Sequence, residues 1–146
     1  MSGQATESVW PSACPPDATP ALSWVLDDIA QLPQVRAEVR RFATGRGPSG
    51  PAAADLCDQL VLAFDEMASN ALRHGGGRVR AAVRLTGDAY LVEVSDQNPT
   101  APPAPAVGRD PSEGGLGLYL IAEMAICHGW YVHAGIKHVW ALLPRT

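Results

Sequence analysis

The sequence predicts a single α/β domain on three observations. Its 146 residues, 47% of them hydrophobic, suffice for one compact core. A long segment from about Ala52 to His74 has helical periodicity and stops at three consecutive glycines. The segments VRAAVRL and AYLVEVSD, on either side of a short turn at 86–88, alternate apolar and polar residues as the strands of an antiparallel hairpin do.

Residues 1–20 are predicted to form a flexible proline-rich tail. They contain four prolines among small and polar residues, a composition that buries too little apolar surface to offset the entropy of ordering. The folded domain is therefore expected to comprise residues 21–146.

A strand and a helix are expected at the start of this domain. Residues 21–28, ALSWVLDD, partly alternate as a strand does. Residues 32–43, LPQVRAEVRRFA, predict a helix with Pro33 in its first turn and Gly45 beyond its end. Its apolar stripe consists of Leu32, Val35, Val39 and Phe42, and its arginines are interpreted as a solvated face.

The long helix carries the first candidate site residues. Its apolar face consists of Leu56, Leu60, Phe64, Met67 and Ala71. Glu66, Asn70 and Arg73 project together about a third of a turn away from that face. A carboxamide oxygen can ligate Mg²⁺ while a carboxylate one turn away polarises a hydroxyl or water. Taken alone, an isolated pair of this kind favours an ordinary polar helix flank.

The second hairpin strand ends at Asp96, and an irregular segment follows it. Residues 97–113 contain five prolines and are too long for an ordinary connection, which predicts a functional or mobile loop such as a lid over a ligand.

A glycine-rich helix start follows this loop. Gly114, Gly115 and Gly117 open an apolar helix that is expected to run to about His128. Glycines at a helix start allow backbone N–H groups to bind an anion such as phosphate, although close helix packing also explains such a motif. Residues 129–134 and 137–144 are predicted as two final strands.

Composition excludes several function classes. The formal net charge of −4 provides no broad positive field for direct nucleic-acid binding. The three cysteines have neither zinc-binding nor redox spacing and are interpreted as reduced thiols. Because no signal peptide or membrane-spanning run is present, a cytoplasmic protein without membrane association is predicted.

The order of these motifs resembles the GHKL ATP-binding family over about residues 21–144. The helix with DEMASNALRHGGG, the hairpin ending in VSDQNP, the long loop and GGLGLYLIAEMA follow one another as in that family. The resemblance implies a Bergerat-type fold, a two-layer α/β sandwich with a mixed, mostly antiparallel sheet covered on one face by helices. ATP and Mg²⁺ are then expected between the sheet, the long helix and the lid.

The resemblance also implies a role for each site residue. Glu66 corresponds to the catalytic base, Asn70 to the Mg²⁺ ligand, and Asp96 to the residue that binds the adenine amino group. The implied ATP-binding residues are Asn70, Arg73, Asp96, Asn98, Gly114, Gly115, Leu116, Gly117 and Leu118.

Within this family the chain is most similar to small anti-sigma regulatory factors of the RsbW and SpoIIAB kind. That similarity implies an ATP-dependent serine kinase that phosphorylates a STAS-type anti-anti-sigma protein and so controls a sigma factor. It also implies a homodimer. Two alternatives stay open. One is a regulatory binding protein that is gated by nucleotide or independent of it, favoured by Asn98 and Pro99 after Asp96 and by Lys137-His138 where relatives often have threonine. The other is the ATP-binding fragment of a larger sensor kinase.

Overall fold

A computed structural model describes residues 10–45, 50–75, 77–99 and 116–145. These residues form five strands, three α-helices and one 3-10 turn at Ile29–Gln31. The strands are β1 (Thr19–Leu26), β2 (Val79–Thr86), β3 (Ala89–Asp96), β4 (Cys127–His133) and β5 (Ile136–Pro144). The helices are α1 (Leu32–Thr44), α2 (Pro51–His74) and α3 (Leu116–Met124). Residues 100–113 of the loop predicted at 97–113, and the glycines Gly114 and Gly115, lie outside the described residues.

The five strands form one sheet in the order β1-β2-β3-β5-β4. Each of these four neighbouring pairs is antiparallel. Strands β2 and β3 lie within one residue of the predicted limits, and a tight turn joins them. Buried residues alternate with more exposed ones in the first half of β2, whereas all eight residues of β3 are buried. The predicted mostly antiparallel sheet is confirmed.

The helices cover one face of this sheet. The core joins the stripe of α1, the apolar face of α2 and the inward residues of the central strands. Its fully buried members include Val39, Leu60, Phe64, Val83, Val92, Val94, Ile121 and Leu143. The predicted two-layer α/β sandwich of the Bergerat type is therefore confirmed.

Ion pairs join α1 to α2 at the outer side of the helical layer. Arg36 Nη1 lies 2.7 Å from Asp65 Oδ1, and Arg40 Nη1 lies 2.8 Å from Asp58 Oδ1. These arginines stay partly exposed, as predicted, so each pair contributes at most about 1 kcal/mol. Both pairs link α1 to the helix that carries Glu66.

Helix α3 ends earlier than predicted. It stops at Met124 rather than near His128, and β4 already begins at Cys127. The amide of Ala125 still bonds to Ile121 O, but the amide of Ile126 bonds to Leu142 O of β5. Strand pairing thus replaces the last helical turn, and the expected helix end was wrong by one turn.

The segment before β1 packs against the other edge of the sheet. The amide of Trp130 donates to Pro11 O, and the amide of Ala13 donates to Trp130 O, each at 3.0 Å. Trp10 is 2% exposed, and its indole N–H donates to Leu118 O. Part of the region predicted as a flexible tail therefore contributes to the core, whereas residues 1–9 lie outside the described residues. The division into tail and domain stays a prediction.

Two other findings bear on the sequence analysis. Cys14, Cys57 and Cys127 are all free thiols. Within the described ranges, every helix is too short or too polar to cross a membrane.

Candidate functional site

Helix α2 carries three of the predicted site residues. Glu66 and Asn70 are each partly buried, whereas Arg73 is exposed. One turn separates Glu66 from Asn70, and the buried residues Met67 and Ala71 lie beside them. The polar pair therefore lies at the border of the core, as the helical periodicity predicts.

The first turn of α3 packs directly on Glu66. A Cβ atom added to Gly117 would collide with Oε1, Cδ and Cγ of the Glu66 side chain. A larger residue at this position would therefore require the Glu66 side chain to move. Gly117 of the glycine motif is thus in contact with Glu66, although the two residues are far apart in sequence. The contact lies at the N-terminal end of α3, where the first N–H groups of a helix have no partners within the helix.

This packing changes the acidity of Glu66. Burial raises the pKa of its carboxyl, the nearby charge of Asp65 raises it further, and Arg73 opposes both. A carboxyl group whose pKa is raised is a better proton acceptor when ionised, which suits a general base.

Asp96 is the last residue of β3 and is 3% exposed. Its Oδ1 accepts a hydrogen bond of 2.8 Å from the amide of Asn98. Its Oδ2 lies 3.5 Å from Nζ of Lys137, which is directly opposite on β5. The carboxylate therefore has one short amide contact and one longer ion pair.

The C-terminal end of α2 lies against Asp96. A Cβ atom on Gly75 would lie 2.6 Å from Ala71 O and 2.6 Å from both Cβ and Cγ of Asp96. Glycine is required here by close approach, and not only as a stop signal for the helix. The structure thus brings the end of the helix that carries Glu66 and Asn70 to the predicted base-binding aspartate.

Asn98 supports Asp96 through its backbone. The amide that donates to Asp96 Oδ1 closes a turn two residues beyond the aspartate, the geometry of an Asx turn. Asn98, which is predicted to bind the nucleotide, therefore orients the carboxylate of Asp96. Whether the Asn98 side chain contacts a ligand stays a prediction.

Burial also dominates the acidity of Asp96. It raises the pKa of the carboxyl, while the Asn98 amide and the Lys137 ammonium lower it and only partly compensate. The group is thus a desolvated acceptor held beside a cation, the kind of perturbed carboxyl that is frequent at binding sites.

Lys137 and His138, which are adjacent on β5, project to opposite faces of the sheet. Lys137 is 7% exposed and faces the helices together with Asp96. His138 lies on the other face, where its Nδ1 is 2.8 Å from Glu93 Oε2. Alternation along β5 therefore places Lys137, and not His138, on the same face of the sheet as Asp96.

Leu118 has mainly a packing role among the described residues. Its side chain is 1% exposed, and its carbonyl oxygen accepts from the Trp10 indole. Leu116 begins α3, but its side chain lies outside the described residues, as do Gly114 and Gly115. The predicted roles of these residues in binding ATP stay predictions.

Comparison with known proteins decides the family. The model of the histidine kinase-like ATPase domain matches residues 25–130, which contain Glu66, Asn70, Asp96 and Gly117. This chain belongs to the histidine kinase-like ATPase domain family. Domains of this family bind ATP, and the match ends before β5, so Lys137 lies outside it.

One curated relative of this ATPase-family domain is the alginate biosynthesis sensor protein KinB of Pseudomonas aeruginosa. It is 34% identical over 82 residues, which cover 49% of this chain. The chain matches only 14% of the length of that relative.

The chemistry of these side chains is consistent with a nucleotide site. Asp96 is a buried acceptor suited to an exocyclic amino group, and Glu66 and Asn70 supply oxygen atoms on the helix whose C-terminal end lies against Asp96. Within the described ranges, no group of three or more histidine, cysteine, aspartate or glutamate side chains is arranged to hold a metal ion. Mg²⁺ is commonly held by one or two protein ligands together with substrate phosphates, so Asn70 is consistent with such a site.

Sequence reasoning missed two neighbours of Asp96, Gly75 and Lys137. Gly75 was interpreted only as part of a helix stop, and Lys137 was noted only together with His138 as a difference from relatives. The alternation of β5 contained a signal for Lys137, since it shares one side of the strand with the buried residues Val139, Ala141 and Leu143.

Proposed function

We propose that this domain binds ATP with Mg²⁺ and transfers the γ-phosphoryl group to a serine of an anti-anti-sigma protein. The observation that carries the proposal is the position of Glu66. Its carboxyl group is half-buried against the first turn of α3, and burial raises its pKa. Glu66 belongs to α2, whose C-terminal end lies against Asp96.

Each residue has a chemical role in this proposal. Asp96 accepts from the adenine amino group, and Asn70 ligates Mg²⁺, which neutralises phosphate charge. Backbone amides at Gly114, Gly115 and Gly117 bind phosphate oxygens. Glu66 accepts the hydroxyl proton as the serine oxygen bonds to the γ-phosphorus and the bond to the ADP oxygen breaks.

The partners follow from the likeness to the RsbW and SpoIIAB kind. A STAS-type anti-anti-sigma protein is the proposed substrate, and a sigma factor is the proposed regulated partner. A homodimer, a cytoplasmic location and the absence of direct nucleic-acid binding belong to the same proposal.

A substitution at Glu66 tests the kinase activity. Glu66→Gln keeps the shape of the side chain but removes the base, so phosphotransfer is expected to fall by about 10² to 10⁴. ATP affinity should change little, because the carboxylate acts on the serine proton. Glu123→Gln, at an exposed position of α3, is the matched control and should keep wild-type transfer.

The measurement is transfer of radiolabelled phosphate from ATP to purified STAS-type proteins, together with ATP affinity by calorimetry. Loss of transfer in Glu66→Gln with affinity retained supports the kinase. Equal transfer by Glu66→Gln and the wild type contradicts the role of Glu66.

A regulatory binding protein without phosphotransfer is the second candidate. The observation that favours it is the Lys137–Asp96 ion pair, which already engages the carboxylate expected to bind adenine. In this case the wild type binds a sigma factor or its antagonist but transfers no phosphate, and Glu66→Gln leaves partner binding unchanged.

A part of a larger sensor kinase is the third candidate. It is favoured by the relative KinB, of whose length this chain matches 14%. Detection of the native protein in cell extracts at a mass well above 15.4 kDa would support it. Detection of the native protein at about 15.4 kDa would contradict this candidate.

A further inference from the structure

A lysine is buried in the site next to the carboxylate that is proposed to bind the base. Lys137 is 7% exposed, and its Nζ lies 3.5 Å from Oδ2 of Asp96. Lysine is rarely buried to this degree unless its charge is paired. The two residues are directly opposite in the β3–β5 ladder, so both side chains project between the sheet and the helices.

Together, the two side chains present an acceptor beside a donor. Among the described residues, the carboxylate of Asp96 is contacted by the Asn98 amide and the Lys137 ammonium. A carboxylate only accepts hydrogen bonds and an ammonium only donates them, so Asp96 is the acceptor and Lys137 the donor beside it. The pair therefore has the polarity to bind a ligand edge on which a donor and an acceptor are adjacent.

Adenine has such an edge, because its 6-amino donor is next to the ring acceptor N1. Guanine and hypoxanthine have a carbonyl acceptor and an N–H donor at these two positions, which reverses the polarity. We propose that Lys137 is a base-binding residue that donates to N1 of adenine while Asp96 accepts from the 6-amino group. This inference rests on the proposed binding of ATP.

The alternative is that Lys137 weakens ATP binding, and the experiment must distinguish the two effects. An ammonium close to Asp96 competes with the adenine amino group for the same carboxylate oxygen. If competition dominated, removal of the charge would strengthen ATP binding. If Lys137 binds N1, removal weakens it.

The direct test uses the wild type and two nucleotides. ATP and 1-deaza-ATP, in which a C–H group replaces N1, are titrated into the protein with Mg²⁺ in a calorimeter. A hydrogen bond from a charged donor is lost with the analogue, so its affinity is expected to be about tenfold to a hundredfold lower. This comparison needs no variant and does not depend on catalytic activity.

A variant of Lys137, titrated with the same two nucleotides, completes the comparison. Lys137→Met removes the donor and keeps the length of the side chain, so ATP and 1-deaza-ATP should bind it with equal affinity, both close to that of 1-deaza-ATP for the wild type. His138→Gln is the matched control, because His138 is the next residue on β5 but faces the other side of the sheet. It should retain the wild-type preference for ATP.

Each outcome decides between these explanations. Equal affinity of the wild type for both nucleotides, or tighter ATP binding by Lys137→Met, overturns the role of Lys137 and leaves ATP binding in place. Failure of the wild type to bind ATP overturns the proposed function and this inference with it.

Discussion

Two buried carboxylates of β3 lie on opposite faces of the sheet and have different surroundings. Glu93, on the face away from the helices, accepts from Tyr131 and contacts Arg84 and His138 at distances between 2.8 and 3.0 Å. Asp96, on the helix-covered face, has one amide donor and a longer ion pair at 3.5 Å.

The difference indicates which carboxylate serves structure and which serves binding. Three polar partners engage the two oxygens of Glu93, which explains how a charge can be 6% exposed without a ligand. Among the described residues, Asp96 has fewer close partners than Glu93, and burial raises the pKa of its carboxyl despite them. A buried acceptor with remaining capacity gains more from a ligand than one whose partners are complete.

The largest expected effect tests the packing around Asp96. Gly75→Ala adds a Cβ atom 2.6 Å from a backbone carbonyl and from Asp96, and neither can move freely. Overpacking of this kind is expected to lower the free energy of unfolding by about 3 kcal/mol. Urea unfolding followed by Trp fluorescence measures it.

Gly45→Ala is the matched control for this change. Gly45 also ends a helix, but its added Cβ atom would meet no atom closer than 3.4 Å, and its φ of −83° suits alanine. Its effect should lie within about 0.5 kcal/mol. Similar losses in both variants would show that the close contact with Asp96 is unimportant.

A smaller effect tests the structural role of Glu93. Glu93→Gln removes the charge that Arg84 and His138 contact and places an amide before the Tyr131 hydroxyl. The expected loss of unfolding free energy is about 2 kcal/mol, with ATP affinity unchanged because the residue faces away from the helices. A loss of ATP affinity without a loss of stability would reverse the roles assigned to the two carboxylates.

The smallest effect is a pH dependence due to Asp96. The pKa of this carboxyl is raised in the fold, so its stabilising contribution is complete below the unfolded value of about 3.8 and is lost as the pH rises through the folded pKa. Asp96→Asn cannot ionise and lacks this loss. Thermal unfolding between pH 3.5 and 6.5 should therefore show the wild type losing stability relative to Asp96→Asn as the pH rises. Parallel curves would exclude a raised pKa.

Sequence patterns predicted those helices and strands whose limits depend on residues close together in the sequence. The hairpin of β2 and β3 and the end of α2 follow from alternation, a tight turn and a run of glycines, all within a few residues of one another. The candidate carboxylates Glu66 and Asp96 could also be found, because each occupies a definite place in such a pattern.

Contacts between distant segments could not be predicted in this way. The early end of α3 depends on an amide of Ile126 that pairs with β5, and the burial of Trp10 depends on α3. The contact of Lys137 with Asp96 requires the register of two strands whose pairing no local pattern specifies. The site is therefore completed by long-range packing that only the structure provides.

The most direct test of this account is calorimetric titration of ATP with Mg²⁺ into the wild type, Asp96→Asn and Glu93→Gln. The account predicts binding to the wild type, about tenfold to a hundredfold weaker binding to Asp96→Asn, and unchanged affinity for Glu93→Gln. Absence of ATP binding to the wild type, or equal affinity for the wild type and Asp96→Asn, would contradict it.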